Sequence, residues 1–165
     1  MLISTLMADD KVPMTLKGKL AIEEELKFLT QVERPKIIAA IDHARSMGDL
    51  SENADYSAAK ERQSFIEGRV QEINSKIARA QVIDPSTLKT DKVVFGATVI
   101  VEEQDTGAKI TYQIVGVDEA DLKKNKIGIS SPLARALIGK KEGDEVEVNA
   151  PKGRILYSVI EIKYL

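Results

Sequence analysis

The sequence predicts an N-terminal antiparallel α-helical coiled-coil hairpin followed by a small α+β domain. Three observations lead there. Apolar residues recur every three or four positions up to about residue 81. A single strong breaker divides that region in two. Beyond residue 85 the pattern changes to short alternating segments separated by turn residues.

From Thr15 to about Met47 the apolar positions are Ile22, Leu26, Leu29, Ile37, Ile41 and Ala44, one face of a helix. Pro35 interrupts this arm and either kinks it or separates two helical segments. From about Leu50 to Gln81, the residues Ile66, Val70, Ile73, Ile77 and Ala80 form a heptad seam. Between the arms stands Met47-Gly48-Asp49. Glycine accepts the left-handed conformation that ends many helices, and aspartate is a good N-cap for the next one. Each apolar stripe is too narrow to stabilise a helix alone, so each arm needs the other. Arms of about 30 residues would be roughly 45 Å long at the helical rise.

Asp84-Pro85-Ser86-Thr87 ends the helical pattern. Strands are expected at 97–101 and 110–115 around the turn Gln104–Gly107, and at 126–130. Ser131-Pro132 is an N-cap followed by a first-turn proline, opening a short helix from Leu133 to Ile138 that stops at Gly139. Two more strands, 145–148 and 155–162, flank the turn Ala150-Pro151-Lys152-Gly153. One short helix among about five antiparallel strands makes a small α+β domain.

Composition narrows the function classes. The 165 residues suit one or two domains, on the order of 100–200 residues each. With no cysteine, disulfides, thiolate metal sites and cysteine nucleophiles are all excluded, and a reducing compartment is compatible. The single histidine, His43, leaves no His-rich metal site. Residues 1–85 carry 12 Lys/Arg and 14 Asp/Glu, and residues 86–165 carry 12 of each. Neither half has the positive excess that sequence-independent binding to free DNA needs. The segment Met1–Val12 lacks the basic start of a signal peptide, and no window approaches the roughly 18 apolar residues of a membrane span, so a cytoplasmic protein is expected.

The candidate chemistry lies at the hairpin tip, Gly48-Asp-Leu-Ser-Glu-Asn-Ala-Asp-Tyr56. Asp49 and Glu52 are three apart at a helix start, so their carboxylates lie on one side of the first turn. The same spacing is that of a capping box, in which Asp49 accepts a backbone N–H and Glu52 reaches back to the cap. Both readings can hold at different times, because a solvated cap can exchange its partner for a metal ion. Arg45 and Lys60 flank the tip, one on each arm, where solvated charges are the default. Tyr56 is placed to pack across the arms. Ser130 and Ser131 lack the histidine and aspartate that would make either a nucleophile.

The tip, together with Arg34-Pro-Lys-Ile-Ile-Ala-Ala-Ile41 before it, resembles the N-terminal domain of bacterial Gre transcript-cleavage factors, in particular their GreA branch. The second half carries the same likeness at Val94-Phe-Gly-Ala-Thr98, Tyr112-Gln-Ile-Val-Gly116 and Ser131-Pro-Leu-Ala-Arg-Ala-Leu-Ile-Gly139. The resemblance runs in order from about Pro13 to the C-terminus. It implies a disordered extension at 1–12, a coiled-coil hairpin domain at 13–84, and an FKBP-like domain at 85–165 that docks on RNA polymerase. It implies that the hairpin enters the polymerase secondary channel and stimulates cleavage of the backtracked nascent RNA 3′ end. Asp49 and Glu52 would then be the catalytic pair, completing a second magnesium site shared with polymerase. By the same resemblance Arg45 and Lys60 would contact RNA, and Ser130, Ser131 and Pro132 would contact the channel rim. No metal is expected in the isolated protein, which is expected to be a monomer and not itself an enzyme.

Two other classes compete. A channel-occupying regulator would block initiation without cleavage, and would have no need of the acidic pair. A peptidyl-prolyl isomerase or chaperone would need an aromatic proline pocket, for which Phe95, Tyr112, Tyr157 and Tyr164 are few.

Overall fold

A computed structural model describes residues 11–48 and 53–165. These form two compact units, one of Lys19–Arg79 and one of the described residues through Gly18 together with Ala80–Leu165.

The first unit is a helical hairpin. Its first arm comprises α1 (Leu16–Phe28), a π-helical turn (Leu29–Glu33) and α2 (Arg34–Ser46). Its second arm is α3 (Ala54–Arg79), whose 26 residues extend about 39 Å at 1.5 Å each. The sequence expectation that Pro35 either kinks the arm or separates two helical segments resolves as separation. Proline has no N–H and its ring collides with the carbonyl one turn back, so an α-helix cannot run through it undisturbed. The chain widens instead: the Arg34 N–H donates to Leu29 O, five residues back. The Thr30 hydroxyl donates to Leu26 O at 2.9 Å, joining the same disturbed turn. No break in the arm results.

Leu29, Ile37, Ile41, Ala59, Ile66, Val70 and Ile73 are buried between the arms, with Ile22, Leu26, Tyr56 and Ile77 partly buried against them. This is the seam read from the spacing, except that Ala80 lies beyond the helix, in a strand. Two Arg–carboxylate forks tie the arms together. Arg34 donates from Nε and Nη2 to Glu67 at 2.7 and 2.9 Å, and Arg69 likewise to Glu25 at 2.7 and 2.8 Å. Those hydrogen bonds hold the carboxyls of Glu67 and Glu25 below the usual carboxylate range.

The second unit contains two sheets. β1 (Val12–Thr15) and β2 (Ala80–Ile83) pair in parallel, Val12 opposite Ala80 and Thr15 opposite Ile83. The helical arms were expected to start at Thr15 and to end at Gln81, and Val12 was assigned to the N-terminal extension. The parallel pairing of two segments so distant in sequence leaves no local periodicity. The compact units divide after Gly18 and Arg79. Residues 1–10 lie outside the described part.

The larger sheet runs β5-β4-β3-β7-β6, with β3 Thr98–Glu103, β4 Lys109–Val115, β5 Lys126–Gly128, β6 Glu145–Ala150 and β7 Gly153–Lys163. All five were expected, but β5 pairs with β4 in parallel rather than antiparallel. A parallel neighbour needs a crossover, and two short 3-10 turns at Val117–Glu119 and Leu122–Lys124 provide it. The helix α4 (Pro132–Leu137) starts at Ser131, whose Oγ accepts from the Ala134 N–H at 3.3 Å. Ala134 and Leu137 close the core over Val93, Val99, Ile114 and Val159.

Glu119 joins the N-terminal strand to this unit. Its Oε2 accepts from the backbone N–H of Thr15 at 3.0 Å and of Gly116 at 2.9 Å, and its Oε1 accepts from the Thr15 hydroxyl. That hydroxyl in turn accepts from the Gly18 N–H at 3.0 Å and so caps α1. A Cβ on Gly116 would lie 2.7 Å from the Pro13 carbonyl oxygen, and one on Gly18 would press into the Glu119 side chain and displace it from this latch.

Candidate functional site: the apex of the hairpin

The chain reverses between Ser46, the last residue of α2, and Ala54, the first of α3. Met47 closes the first arm with its N–H on Ala44 O at 3.2 Å. Gly48 follows at φ +116°, a conformation that suits glycine, as its place after the helix suggested. Asp49 and Glu52, with Leu50 and Ser51 between them, lie outside the described residues.

Asn53 caps α3. Its Oδ1 accepts from the Tyr56 N–H at 3.0 Å, and its Nδ2 donates across the hairpin to Ala44 O at 2.8 Å. One side chain thus satisfies the start of the second arm and the end of the first. The sequence reading assigned this cap to Asp49 and began the second helix near Leu50. The described helix instead begins at Ala54, because asparagine carries both an acceptor for the helix and a donor for the opposite carbonyl. Asn53 was missed, although an asparagine directly before Ala54-Asp55-Tyr56 is itself a capping signal.

Arg45 is exposed in the last turn of α2, and Lys60 is exposed on α3 with its Nζ donating to Gln63 Oε1 at 3.1 Å. The two stand on opposite arms near the apex. Tyr56 packs against the apolar seam, as its position suggested. His43 is exposed. Among the described residues no three His, Cys, Asp or Glu side chains are grouped to hold a metal ion.

In the strand-rich unit Ser130 and Pro132 are exposed, and Ser131 is half-buried by its capping role. They form the turn from β5 into α4. Tyr157 is buried in the core, and Tyr112 and Tyr164 pack against it. The Tyr164 hydroxyl accepts from the Val94 N–H at 3.1 Å and donates to Lys92 O. These three rings pack in or against the core of the unit. No described helix is long and apolar enough to cross a membrane.

Fold and site together define a two-part factor: a helical hairpin with a polar apex, built on the same chain as a small strand-rich domain. Two family models match in order. "Transcription elongation factor, N-terminal" covers residues 12–82, and "Transcription elongation factor, GreA/GreB, C-term" covers 88–164. The chain belongs to the GreA/GreB family of transcription elongation factors. It is 60% identical over 155 residues to transcription elongation factor GreA of Hyphomonas neptunium, spanning 94% of this chain and 99% of that one. It is 57% identical over 155 residues to the GreA of Maricaulis maris, with the same two coverages. Among solved structures, the Gfh1 protein of Thermus thermophilus is similar at a TM-score of 0.42 and 22% identity, covering 93% of this chain and 99% of that one.

Proposed function

We propose that the protein rescues backtracked RNA polymerase by stimulating the polymerase's own cleavage of the nascent RNA 3′ end. In this reading the strand-rich unit is an FKBP-like domain that docks at the rim of the secondary channel through Ser130, Ser131 and Pro132. The hairpin is a coiled coil that enters the channel, and Arg45 and Lys60 steer the extruded RNA. The protein works in the cytoplasm as a monomer and is a cofactor, not a hydrolase.

The observation that carries the reading is the position of the acidic pair in a chain of this family. Asp49 and Glu52 fall between Gly48, just past the end of one arm, and Asn53, the cap of the next. Because Asn53 caps α3, the second arm does not depend on Asp49 for that bond. Two carboxylates with no basic residue between them are the donor set that magnesium takes, its other positions being left to water and phosphate oxygens. Magnesium held jointly with polymerase supplies charge stabilisation to the phosphoryl oxygens and acidifies bound water. The chain's own part is to bring Asp49 and Glu52 to that centre and to orient the attacking water.

The test uses purified polymerase stalled by backtracking on a labelled transcript. Release of a short 3′ RNA fragment is expected to be slow with polymerase and magnesium alone and fast once this protein is added. Asp49→Ala and Glu52→Ala are each expected to lower the release rate by at least 100-fold, on the order seen when a group that stabilises transition-state charge is removed. Polymerase affinity is expected to stay within about threefold, below the tenfold that 1.4 kcal/mol would produce. Slowed transcription without fragment release would favour a channel-blocking regulator instead.

A further inference from the structure

The chain has no cysteine and no tryptophan, so its methionines hold all of its sulfur. Two of them lie among the described residues, and their surroundings are opposite. Met14, in β1, is 4% exposed, whereas Met47, at the apex of the hairpin, is 70% exposed. The Met47 backbone is fixed at the end of α2. Its N–H donates to Ala44 O at 3.2 Å, and the same carbonyl accepts from Asn53 Nδ2 at 2.8 Å. The Met47 side chain is not among those that pack the seam between the arms. Backbone and Asn53 therefore close this end of the helix, and the thioether stands in solvent.

A solvated thioether reacts directly with a hydroperoxide. The sulfur lone pair attacks one peroxide oxygen, an S–O bond forms as the O–O bond breaks, and the proton on the transferred oxygen passes to the departing hydroxide. With hydrogen peroxide the products are methionine sulfoxide and water; sulfur loses two electrons and the peroxide gains them. The reaction turns a flexible apolar side chain into a polar, chiral one. At Met14 it would disrupt a buried position. At Met47 no buried contact is lost, so the hairpin stays folded while the surface of its apex changes, two positions before Asp49.

We propose that Met47 is an oxidation site that switches the apex off: a hydroperoxide converts it to the sulfoxide, and enzymatic reduction of the sulfoxide switches it on again. This rests on the reading that the apex enters polymerase. Entry strips water from the apex, and an S=O group that loses its water without gaining a donor is disfavoured. The oxidised apex therefore reaches the cleavage centre less readily, with its two acids unaltered.

The experiment treats the folded full chain with hydrogen peroxide and follows the gain of one oxygen at each methionine by peptide mass spectrometry. The peroxide is then removed and fragment release is assayed with untreated polymerase. Met47 is expected to oxidise at least about tenfold faster than Met14 in the folded protein, and at an equal rate in urea. The oxidised protein is expected to keep the parent melting temperature and to release RNA about tenfold more slowly, the factor that one unpartnered polar group produces. Methionine sulfoxide reductases acting on both epimers should restore the rate. Met47→Leu, which keeps the other methionines, should release RNA as the parent does, before and after peroxide. Equal oxidation of Met47 and Met14 in the folded chain, an oxidised parent as fast as the untreated one, or equal inactivation of Met47→Leu would each overturn this proposal and leave the function standing. If the untreated parent does not speed release, the proposed function fails and the switch falls with it.

Discussion

Asn53 holds the apex of the hairpin from both sides, through Tyr56 on its own arm and Ala44 on the other. Asn53→Ala removes an N-cap and leaves the Ala44 carbonyl without that donor. It is expected to destabilise the hairpin by about 1–2 kcal/mol, measured as the change in free energy of urea unfolding. Asn53→Asp should keep the cap and lose only the donation to Ala44, and so cost less than Asn53→Ala. At this scale the sequence was partly legible. Gly48 is a breaker wherever it stands after a helix, so the turn could be located from composition alone. The capping residue could not be chosen so easily, because Asp49, Ser51, Asn53 and Asp55 are all capping types within seven positions. The opposite carbonyl that selects asparagine belongs to the tertiary structure.

The element scale shows what periodicity can and cannot reveal. The seam of Ile66, Val70 and Ile73 was readable because burial repeats every three or four residues along an uninterrupted helix. The β1–β2 pair was not, since four-residue strands have no period to detect and Pro13 reads locally as a breaker. The crossed forks Arg34–Glu67 and Arg69–Glu25 were equally hidden, being contacts between arms. They have a consequence for pH. The pKa values of Glu67 and Glu25 are lowered on folding, first by the guanidinium hydrogen bonds. Their stabilisation is therefore complete above the ordinary carboxylate value of 4.5 and is lost as pH falls through the depressed folded values. Thermal melts from pH 7 down to pH 3 should show hairpin stability falling in the acid range. The double variant Glu25→Gln/Glu67→Gln should fall less steeply. A second test concerns the latch at Glu119, which accepts from Thr15 and Gly116. Glu119→Gln turns part of that acceptor into a donor facing N–H groups. A loss of about 1–3 kcal/mol is expected by urea unfolding, together with faster amide exchange at Thr15 and Gly116.

At the scale of the whole molecule, the proposed function divides labour between two units on one chain. The strand-rich unit contributes the Ser130–Pro132 turn, and the hairpin contributes an apex between Gly48 and Asn53 that carries two acids in sequence. The family likeness was legible because its motifs recur in order along both halves, which local spacing alone could not supply. In the proposed function the acids act on a cation that polymerase holds, so the isolated chain is expected to leave RNA intact with magnesium present. The most direct measurement is the magnesium dependence of fragment release by polymerase with the parent protein, Asp49→Asn and Glu52→Gln, all at saturating concentrations. Each amide variant is expected to need at least about tenfold more magnesium for half-maximal release, because a neutral amide is a poorer ligand for a hard cation. Identical magnesium curves and equal maximal rates for the parent and both variants would contradict the proposed function.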